Sequence, residues 1–384
     1  MLTCQRDLVH LPEGLHYLNC AYLGPLLKSV EEAGLAAVQR RRDPTSITPA
    51  SFFTDADRAR ALFGRLVGCP AERVAIVPSV SYATAVVAKN LELRAGQNVV
   101  VARAQFPSNV YAWRRLCADA GAELRAVDPP AAAQGRGEGW NARLLEAIDG
   151  DTALVALGNV HWADGTRFDL ERIGRRAREV GALLVVDGTQ SVGAMPFDVQ
   201  AVQPDVLVCA GYKWLLGPYA LGLAYFGERC DGWRPLEETW LGRQGSEDFT
   251  RLVDYADDYQ PGSARLDMGE RSSFALMPML LAALEQILAW GPANVQAYCR
   301  ELTSGLIAGA RALGCTVEDE PWRGAHLFGI RAPAGADASQ LQQALADRRV
   351  AVSLRGDAVR VAPNVYNTPD DVAALADALR AAWG

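Results

Sequence analysis

The stretch from residue 183 to residue 217, LLVVDGTQSVGAMPFDVQAVQPDVLVCAGYKWLLG, constrains the fold more than any other part of the chain. It contains two continuous apolar runs, LLVVD and VLVCA, which are typical of strands buried on both faces of a parallel sheet. Asp187 ends the first run, and Gly211, Tyr212 and Lys213 follow the second. Open α/β sheets bind their ligands at the carboxyl ends of such strands. The stretch therefore predicts a ligand site between Asp187 and Lys213.

Lys213 is the strongest candidate for chemistry in this stretch. A lysine directly after an apolar strand is predicted to be desolvated, which lowers its pKa and frees the amine as a nucleophile. Taken singly, Asp187 is compatible with a turn residue, Gln190 with a surface polar group and Lys213 with a loop lysine. Their joint occurrence at this spacing, on two apolar strands, favours a site.

Composition excludes several classes of function. The chain has 384 residues, half of them hydrophobic, which predicts one large and one smaller domain. A net charge of −7 argues against a nucleic-acid partner. No apolar run has the length of a membrane span, and the N-terminus lacks a signal-peptide core, so neither a membrane nor secretion is expected. The eight cysteines form no CxxC pair, which predicts no metal site and a reducing, cytoplasmic location.

The motifs DGTQSVG and AGYKWLLGP resemble those of the class V aminotransferase superfamily of fold-type I enzymes, which use pyridoxal 5'-phosphate (PLP). This superfamily includes cysteine desulfurases, kynureninases and isopenicillin N epimerase-like proteins. The resemblance covers nearly the whole chain. It implies PLP as cofactor and an α/β fold, in which a mostly parallel, seven-stranded large-domain sheet is flanked by helices and joined to a small α+β domain.

The resemblance and the helix pattern together predict three parts. Residues 1–30 form an N-terminal arm that joins the small domain and the active site. Residues 31–290 form the large PLP-binding domain, and residues 291–384 form the small C-terminal α+β domain. By the same resemblance, the protein is a homodimer with its active site at the subunit interface.

Four residues of the first stretch receive cofactor roles from the resemblance. Lys213 would hold PLP as a Schiff base, and Asp187 would pair with the pyridinium nitrogen, making the ring an electron sink. Gln190 would contact the phenolic oxygen of the ring. Tyr212 would donate a hydrogen bond to a phosphate oxygen.

Two upstream segments complete the predicted cofactor site. The segment RVAIVPSVSYATAVVAKNL predicts a strand, a loop and a helix, with Ser79 or Ser81 as the cap of a helix end that favours anions. The resemblance places Ser81 and the backbone of Val80 on the phosphate. It also makes Phe106 the aromatic residue that stacks on the ring, the alternative being a phenylalanine of the core.

Two further segments provide candidates around the ring and the substrate. His161 and Trp162 occupy the region where desulfurases carry an asparagine near the ring oxygen, and a structural histidine is the alternative for His161. The segment VRVAPNVYNT resembles the one whose arginine binds the substrate α-carboxylate, a task suited to the arginine fork. Arg360 is that arginine, and an ion pair with Asp357 is its alternative.

The arm and a long loop supply the remaining substrate candidates. Asn19 and Tyr22 are expected in the pocket, the alternative being an ordinary turn. Poor periodicity makes residues 231–270 a long functional loop. Just beyond it, Arg271 is a candidate for phosphate or substrate contact across a dimer interface, or else a surface arginine paired with Glu270.

The reaction is predicted less specifically than the cofactor. The resemblance implies an α-amino acid substrate, an external aldimine and a Cα carbanion, with Lys213 as the base. The connection LRGDAVR is short and has no cysteine, which disfavours a persulfide on the enzyme. The leading hypothesis is a C–S β-lyase-type β-elimination on a cysteine conjugate or related amino acid. An aminotransferase or epimerase of class V type is the alternative, and a non-catalytic partner subunit is the alternative from another class.

Overall fold

A computed structural model of the chain describes residues 2–131 and 135–384. Met1, the first residue of the predicted arm, lies outside the described residues. The strands, in chain order, are β1 (His16–Tyr17), β2 (Val74–Val77), β3 (Asn98–Ala102), β4 (Glu123–Val127), β5 (Thr152–Gly158), β6 (Leu183–Asp187), β7 (Val206–Ala210), β8 (Gly222–Phe226), β9 (Thr316–Val317), β10 (Phe328–Arg331), β11 (Val350–Ala351), β12 (Ser353–Arg355) and β13 (Ala358–Val361).

Helices separate most of these strands. The α-helices are α1 (Lys28–Arg40), α2 (Thr54–Val67), α3 (Val80–Asn90), α4 (Tyr111–Ala120), α5 (Arg136–Ala147), α6 (Leu170–Glu179), α7 (Val199–Val202), α8 (Met277–Trp290), α9 (Pro292–Ala312), α10 (Ala338–Asp347) and α11 (Pro369–Trp383). Among the described residues, no helix is long and apolar enough to cross a membrane.

The central sheet has seven strands in the order β2-β8-β7-β6-β5-β3-β4. The neighbours from β7 to β4 are parallel, whereas β8 is antiparallel to both β7 and β2. Every residue of β2, β3, β6 and β7 is buried, as expected for apolar strands covered by helices on both faces. The predicted fold class, with a mostly parallel seven-stranded sheet, is confirmed.

The register of the sheet brings the predicted chemistry to one edge. Asp187 is the last residue of β6 and pairs with Gly158 of β5 on one side and Val208 of β7 on the other. Because these strands are parallel, the loops that follow them leave the sheet at the same edge. Lys213, three residues beyond the end of β7, therefore begins its loop close to Asp187.

The C-terminal part contains a second, antiparallel sheet in the order β12-β13-β10-β9. The N-terminal arm joins this part, because β1 pairs in parallel with β11 and Asn19 forms a bridge with Ala362. His16 Nδ1 also lies 2.8 Å from Asp371 Oδ1 of α11. Both chain ends thus contribute to one α+β unit, whereas the exact division at residues 30 and 290 stays a prediction.

Candidate functional site

Two connected cavities lie at the carboxyl edge of the central sheet. The inner chamber, of about 250 Å³, is lined by residues that include Ser79, Ser81, Gln105, Asp187 and Gln190. The outer chamber, of about 530 Å³, is lined by residues that include Ala21, Tyr22, Leu23, Arg355 and Arg360. Five residues line both chambers and form the wall between them: Phe106, Trp162, Tyr212, Lys213 and Tyr219.

Lys213 lies where the two chambers meet. Its Nζ is 5.2 Å from the ring centre of Phe106 and 5.6 Å from that of Tyr212. Burial lowers the pKa of Lys213 to about 8, although the Asp187 carboxylate opposes this shift. A lysine with this pKa has a substantial neutral fraction near neutral pH, which both a nucleophile and a general base require.

Asp187 is a buried carboxylate in the inner chamber. It accepts a hydrogen bond of 3.0 Å from the backbone N–H of Thr189. Burial raises the pKa of Asp187, while Thr189 and the positive charge of Lys213 act in the opposite direction. A buried carboxylate with one remaining open side favours a cationic ring nitrogen as its partner.

Gln190 is held on both sides of its amide. Its Nε2 donates to the backbone oxygen of Ala21 at 3.1 Å, and its Oε1 accepts from Trp214 Nε1 at 2.9 Å. His326 Nε2 donates to the backbone oxygen of Gln190 at 2.8 Å, and His326 Nδ1 lies 2.8 Å from Gln296 Nε2. Gln190 lines the inner chamber, and one N–H of its amide remains for a ligand.

The N-terminus of α3 forms one end of the inner chamber. Ser79 is the N-cap and accepts from the backbone N–H of Tyr82, while the hydroxyls of Ser79 and Ser81 are 2.8 Å apart. The first N–H groups of a helix have no partner within the helix, and the helix dipole favours an anion there. Val80 and Ser81, which the resemblance places on the phosphate, line the chamber, and Ser79 joins them.

Aromatic rings form the wall that faces Lys213. Phe106 and Trp162 meet edge to face with their ring centres 5.4 Å apart. Trp162 Nε1 donates to the backbone oxygen of Ala104 at 2.7 Å, which fixes the indole ring. A flat ligand held beside Lys213 in the inner chamber would therefore have an aromatic surface to stack on.

Backbone strain is concentrated around the chambers. Ala104, Leu216 and Ala220 have φ angles of 55°, 50° and 66°, in the left-handed region that non-glycine residues seldom adopt. Ala104 carries the carbonyl that fixes Trp162, and Ala220 lines the inner chamber. Strained residues of this kind persist where the surrounding structure requires them, and they cluster at functional sites.

Arg360 is a buried guanidinium whose partners are all uncharged. Its Nη1 donates to the backbone oxygen of Trp162 at 2.8 Å, and its Nη2 lies 3.3 Å from Ser353 Oγ and 3.5 Å from Asn19 Oδ1. Burial lowers the pKa of Arg360 to about 10, with a contribution from Arg355. The alternative ion pair with Asp357 is not formed, because Asp357 pairs with Arg331.

The N-terminal arm packs directly against the loop that carries Lys213. Tyr22 lines the outer chamber and is 59% exposed, whereas Asn19 is buried and contacts Arg360 rather than the cavity. The backbone N–H of Gly24 donates to the oxygen of Tyr212 at 2.9 Å. A Cβ atom at Gly24 would lie 2.3 Å from the backbone oxygen of Lys213, so only glycine allows this approach.

Besides Asn19, two predicted residues do not line either chamber: His161 and Arg271. The buried His161 ring packs on Trp140, and its Nδ1 lies 3.2 Å from Asp164, as in the structural alternative. Arg271 is also buried, with its Nη1 2.9 Å from Asp267, so its guanidinium faces the interior of this chain instead of a partner. The predicted roles of His161 at the ring and of Arg271 across an interface therefore lose their geometric basis. The alternative for Arg271, a surface position paired with Glu270, is also replaced, by a buried pair with Asp267.

Four further polar residues that were not predicted also line the inner chamber or the shared wall. Gln105 has a buried Nε2 that lacks a hydrogen-bond partner among the described residues. Ser108, Thr189 and Tyr219 are the others, and the ring of Tyr219 lies 4.6 Å from that of Tyr212. Their positions depend on loop conformations that leave no periodic signal in the sequence.

The inner chamber fits PLP in the chemistry of its groups. The end of α3 provides donors for a phosphate, Asp187 provides a partner for a ring nitrogen, and Phe106 provides a stacking surface. Lys213 provides the amine, and Gln105, whose buried Nε2 lacks a partner among the described residues, lines the same chamber. In the described part of the chain, no cluster of residues suited to a metal ion competes with this arrangement.

Comparisons with known proteins agree with this fit. The family model described as Aminotransferase class-V matches residues 36–376. The chain is 26% identical to isopenicillin N epimerase of Amycolatopsis lactamdurans over 98% of this chain and 97% of that protein. It is 32% identical to a probable cysteine desulfurase of Methanothermobacter thermautotrophicus, over 54% of this chain and 51% of that protein.

A solved structure shows the same fold. The structure of a C-DES mutant, with glycine covalently linked to its PLP cofactor, superposes with a TM-score of 0.82 at 19% identity. The superposition covers 95% of this chain and 97% of that protein.

Proposed function

The chain belongs to the class-V aminotransferase family and uses PLP, and from this premise we propose that it catalyses a β-elimination on an S-substituted cysteine or a related amino acid. When bound, PLP withdraws electrons from the α-carbon of an amino acid and so acidifies its α-proton. The other requirements of the reaction are supplied by side chains of this chain.

The proposed roles divide between the two chambers. Arg360 binds the α-carboxylate, because it is a buried guanidinium with no acidic partner at the back of the outer chamber. Lys213 holds the cofactor and then takes the α-proton, because its amine lies between the chambers and its pKa is lowered to about 8. Asp187, Gln190 and Tyr212 hold the cofactor, with Val80 and Ser81 at its phosphate.

Our choice of reaction rests on the absence of a cysteine thiol from the described lining of the site. Among the described residues, no cysteine lines either chamber. Cys20 comes near, with its Sγ 3.8 Å from the backbone oxygen of Lys213, but burial raises the pKa of its thiol to about 12. Sulfur transfer to an enzyme cysteine needs an accessible thiolate. Release of the sulfur group into solution does not, so elimination is favoured over desulfuration.

Epimerisation is the second candidate, because the chain resembles isopenicillin N epimerase over nearly its whole length. Epimerisation by two bases needs a second proton-transfer group facing Lys213. In the described part of the outer chamber, the other titratable groups are three tyrosines and two arginines. Burial raises the pKa of Tyr212, which keeps this phenol protonated and unable to accept the α-proton. The chamber therefore supports one-base chemistry better.

Product analysis separates the candidates. Elimination converts an S-substituted cysteine and one water into a thiol, pyruvate and ammonium, without consuming the cofactor. The PLP-loaded protein should release the three products in equal amounts. Amino-group transfer would instead convert PLP to its amine form, without thiol. Epimerisation in D₂O would return the amino acid with deuterium at its α-carbon. Either result, without thiol release, would contradict the proposal.

Removal of the Cys20 thiol provides a control for this experiment. Cys20→Ala removes the cysteine that lies beside Lys213 and should leave thiol release unchanged. If the variant retained its PLP absorbance but lost sulfur release, an enzyme persulfide would have to be reconsidered. Lys213→Ala should abolish release in the same assay.

We also propose a homodimer in which the arm, residues 1–30, and the loop, residues 231–270, lie near the interface. Both segments expose large apolar side chains, and a monomer would leave these in water: Tyr22, Leu23, Leu26, Trp240, Leu252, Val253 and Tyr255. Sedimentation equilibrium should give twice the chain mass of 41.3 kDa. A single-chain mass at micromolar concentration would contradict this.

A further inference from the structure

The outer chamber holds more positive charge than one α-carboxylate neutralises. Besides Lys213, which would hold the cofactor, its lining includes Arg355 and Arg360 but, among the residues that the structure describes, no aspartate or glutamate. This excess is local, because the whole chain has a net charge of −7. A concentration of one sign of charge in a cleft attracts ligands of the opposite sign.

Arg355 forms no ion pair with an acid in the part of the chain that the structure describes. Its Nη1 donates to the backbone oxygen of Leu354 at 2.8 Å, and its guanidinium lies 5.7 Å from the ring centre of Trp162. Its buried Nε has no partner within the described ranges. The nearest acid in sequence, Asp357, pairs with Arg331 instead. Arg355 is therefore a half-buried cation that keeps guanidinium donors with no partner among the described residues.

The register of the second sheet places the two arginines on one face. Ser353 of β12 pairs with Arg360 of β13, and Arg355 follows Ser353 by two residues on the same strand. Side chains two residues apart in a strand point to the same face, and such diagonal neighbours are about 7–8 Å apart. The spacing suits two anionic groups of one ligand, separated by a short chain of atoms.

Trp162 orients Arg355 before such a ligand binds. Trp162, on whose ring Arg355 lies, is fixed by its hydrogen bond to Ala104. The backbone oxygen of Trp162 also accepts a hydrogen bond of 2.8 Å from Arg360 Nη1. One residue thus orients both guanidinium groups, and a cation that is ordered before binding loses little entropy when it binds.

We propose that the substrate carries a second anionic group at the end of its side chain, with the α-carboxylate on Arg360 and the distal group on Arg355. The inference rests on the proposed function, because it assigns an amino acid to the outer chamber. For β-elimination, it specifies a cysteine whose S-substituent ends in a carboxylate. The leaving thiol then carries the distal charge out of the chamber.

Unreactive acids test this proposal without turnover. Calorimetric titration of the PLP-loaded protein at low salt should show that glutarate, a dicarboxylate, binds at least about tenfold tighter than butyrate. Arg355→Gln should abolish this selectivity by weakening glutarate alone. Arg360→Gln should weaken both acids. Arg115→Gln is the matched control, because it removes one positive charge at an 81% exposed side chain and should preserve the selectivity.

Two results would overturn the proposal. Equal affinity of the wild-type protein for the two acids would mean that Arg355 recognises no second anion. Equal weakening of both acids by Arg355→Gln would mean that both arginines bind one carboxylate. The PLP absorbance and the melting temperature of each variant show whether a loss of binding reflects unfolding.

A kinetic comparison connects the inference to turnover. The ratio of kcat/KM for S-(2-carboxyethyl)cysteine over S-propylcysteine should fall at least about tenfold in Arg355→Gln. An unchanged ratio would contradict the role of Arg355. If no S-substituted cysteine reacts while glutarate selectivity persists, the proposed elimination fails and the anion site stands.

Discussion

The two chambers differ in how their charges are balanced and in where their residues lie along the chain. The inner chamber is built from residues 78–220, and its one acid, Asp187, lies close enough to Lys213 to affect its pKa. The outer chamber combines residues near both chain ends and contains two arginines without an acidic partner in the described structure. The charges of the inner chamber are thus nearly balanced before a ligand binds. The positive charge of the outer chamber would be neutralised only by a bound anion. Cofactor binding and substrate selection are therefore separable by mutation.

The largest expected effect is that of replacing Lys213, the amine proposed to hold the cofactor. Lys213→Ala should remove the visible absorbance of the covalently bound cofactor and lower turnover by at least about 100-fold. The chain has only three lysines, so the peptide labelled after borohydride reduction is easily assigned. Lys28→Ala, in the first turn of α1, is the control and should retain the absorbance. An absorbance that survives Lys213→Ala would refute the assignment.

The second prediction tests whether the chambers are independent. Arg360→Gln should weaken amino-acid binding by about 100-fold, because a buried carboxylate would lose its charged partner. PLP should stay bound, since Arg360 lines only the outer chamber. Titration of the visible spectrum with an amino acid measures both properties. Loss of PLP from this variant would show that the chambers are coupled and would make Arg360 a structural residue.

The third prediction concerns the protonation of Lys213. The amine must be neutral to react with PLP, and the pKa of Lys213 is lowered to about 8. Its neutral fraction, and hence the rate of PLP incorporation into the cofactor-free protein, should rise about fivefold between pH 7 and pH 8. Arg360→Gln removes a nearby positive charge and should shift this profile to higher pH. A rate that kept rising tenfold per pH unit up to pH 10 would indicate an unperturbed lysine.

The smallest expected effect concerns His326, which donates a hydrogen bond to the backbone oxygen of Gln190. His326 donates to Gln190 and faces Gln296 and Trp214, and burial lowers the pKa of His326 from 6.5 to about 4. His326 resists protonation in the folded state. Its contribution to the free energy of unfolding is therefore complete above pH 6.5 and is lost as the pH falls towards 4. This histidine should account for a decrease of about 0.7 kcal/mol in unfolding free energy between pH 7 and pH 6.

Urea unfolding at the two pH values measures this decrease. In His326→Gln the pH dependence should be smaller by that amount, because glutamine keeps a donor for Gln190 but does not titrate. An identical pH dependence in the two proteins would mean that His326 titrates alike in the folded and unfolded states.

The same contrast between the chambers explains which residues the sequence predicts. Asp187 and Lys213 end or follow apolar strands, and parallel strands place such ends together, so their proximity follows from the pattern. Ser79 as the cap of α3 follows from local helix chemistry. Gln105 and Tyr219 depend on loops with φ angles of 55° at Ala104 and 66° at Ala220, which composition does not predict. The sequence likewise contains no signal for the ion pair that buries Arg271 against Asp267.

The local sequence pattern does not predict the position of Arg355 either. The pairing of β12 with β13 sets which side chains share a face, and a shift of one residue would turn Arg355 away from Arg360. The joining of β1 to β11 connects residues 16 and 350, a contact that no window of neighbouring residues contains. The proposed substrate-binding residues thus depend on long-range pairing, whereas the proposed cofactor-binding residues lie in short motifs.

The pairing of the two chain ends has a consequence for biosynthesis. The ribosome has made every residue of the inner chamber once residue 220 is joined, but the outer chamber lacks Arg360 until the last 25 residues of the printed sequence are being added. Contacts between distant segments form slowly, and the N-terminal part of a growing chain folds first. A nascent chain therefore acquires a place for the cofactor before it can select an amino acid.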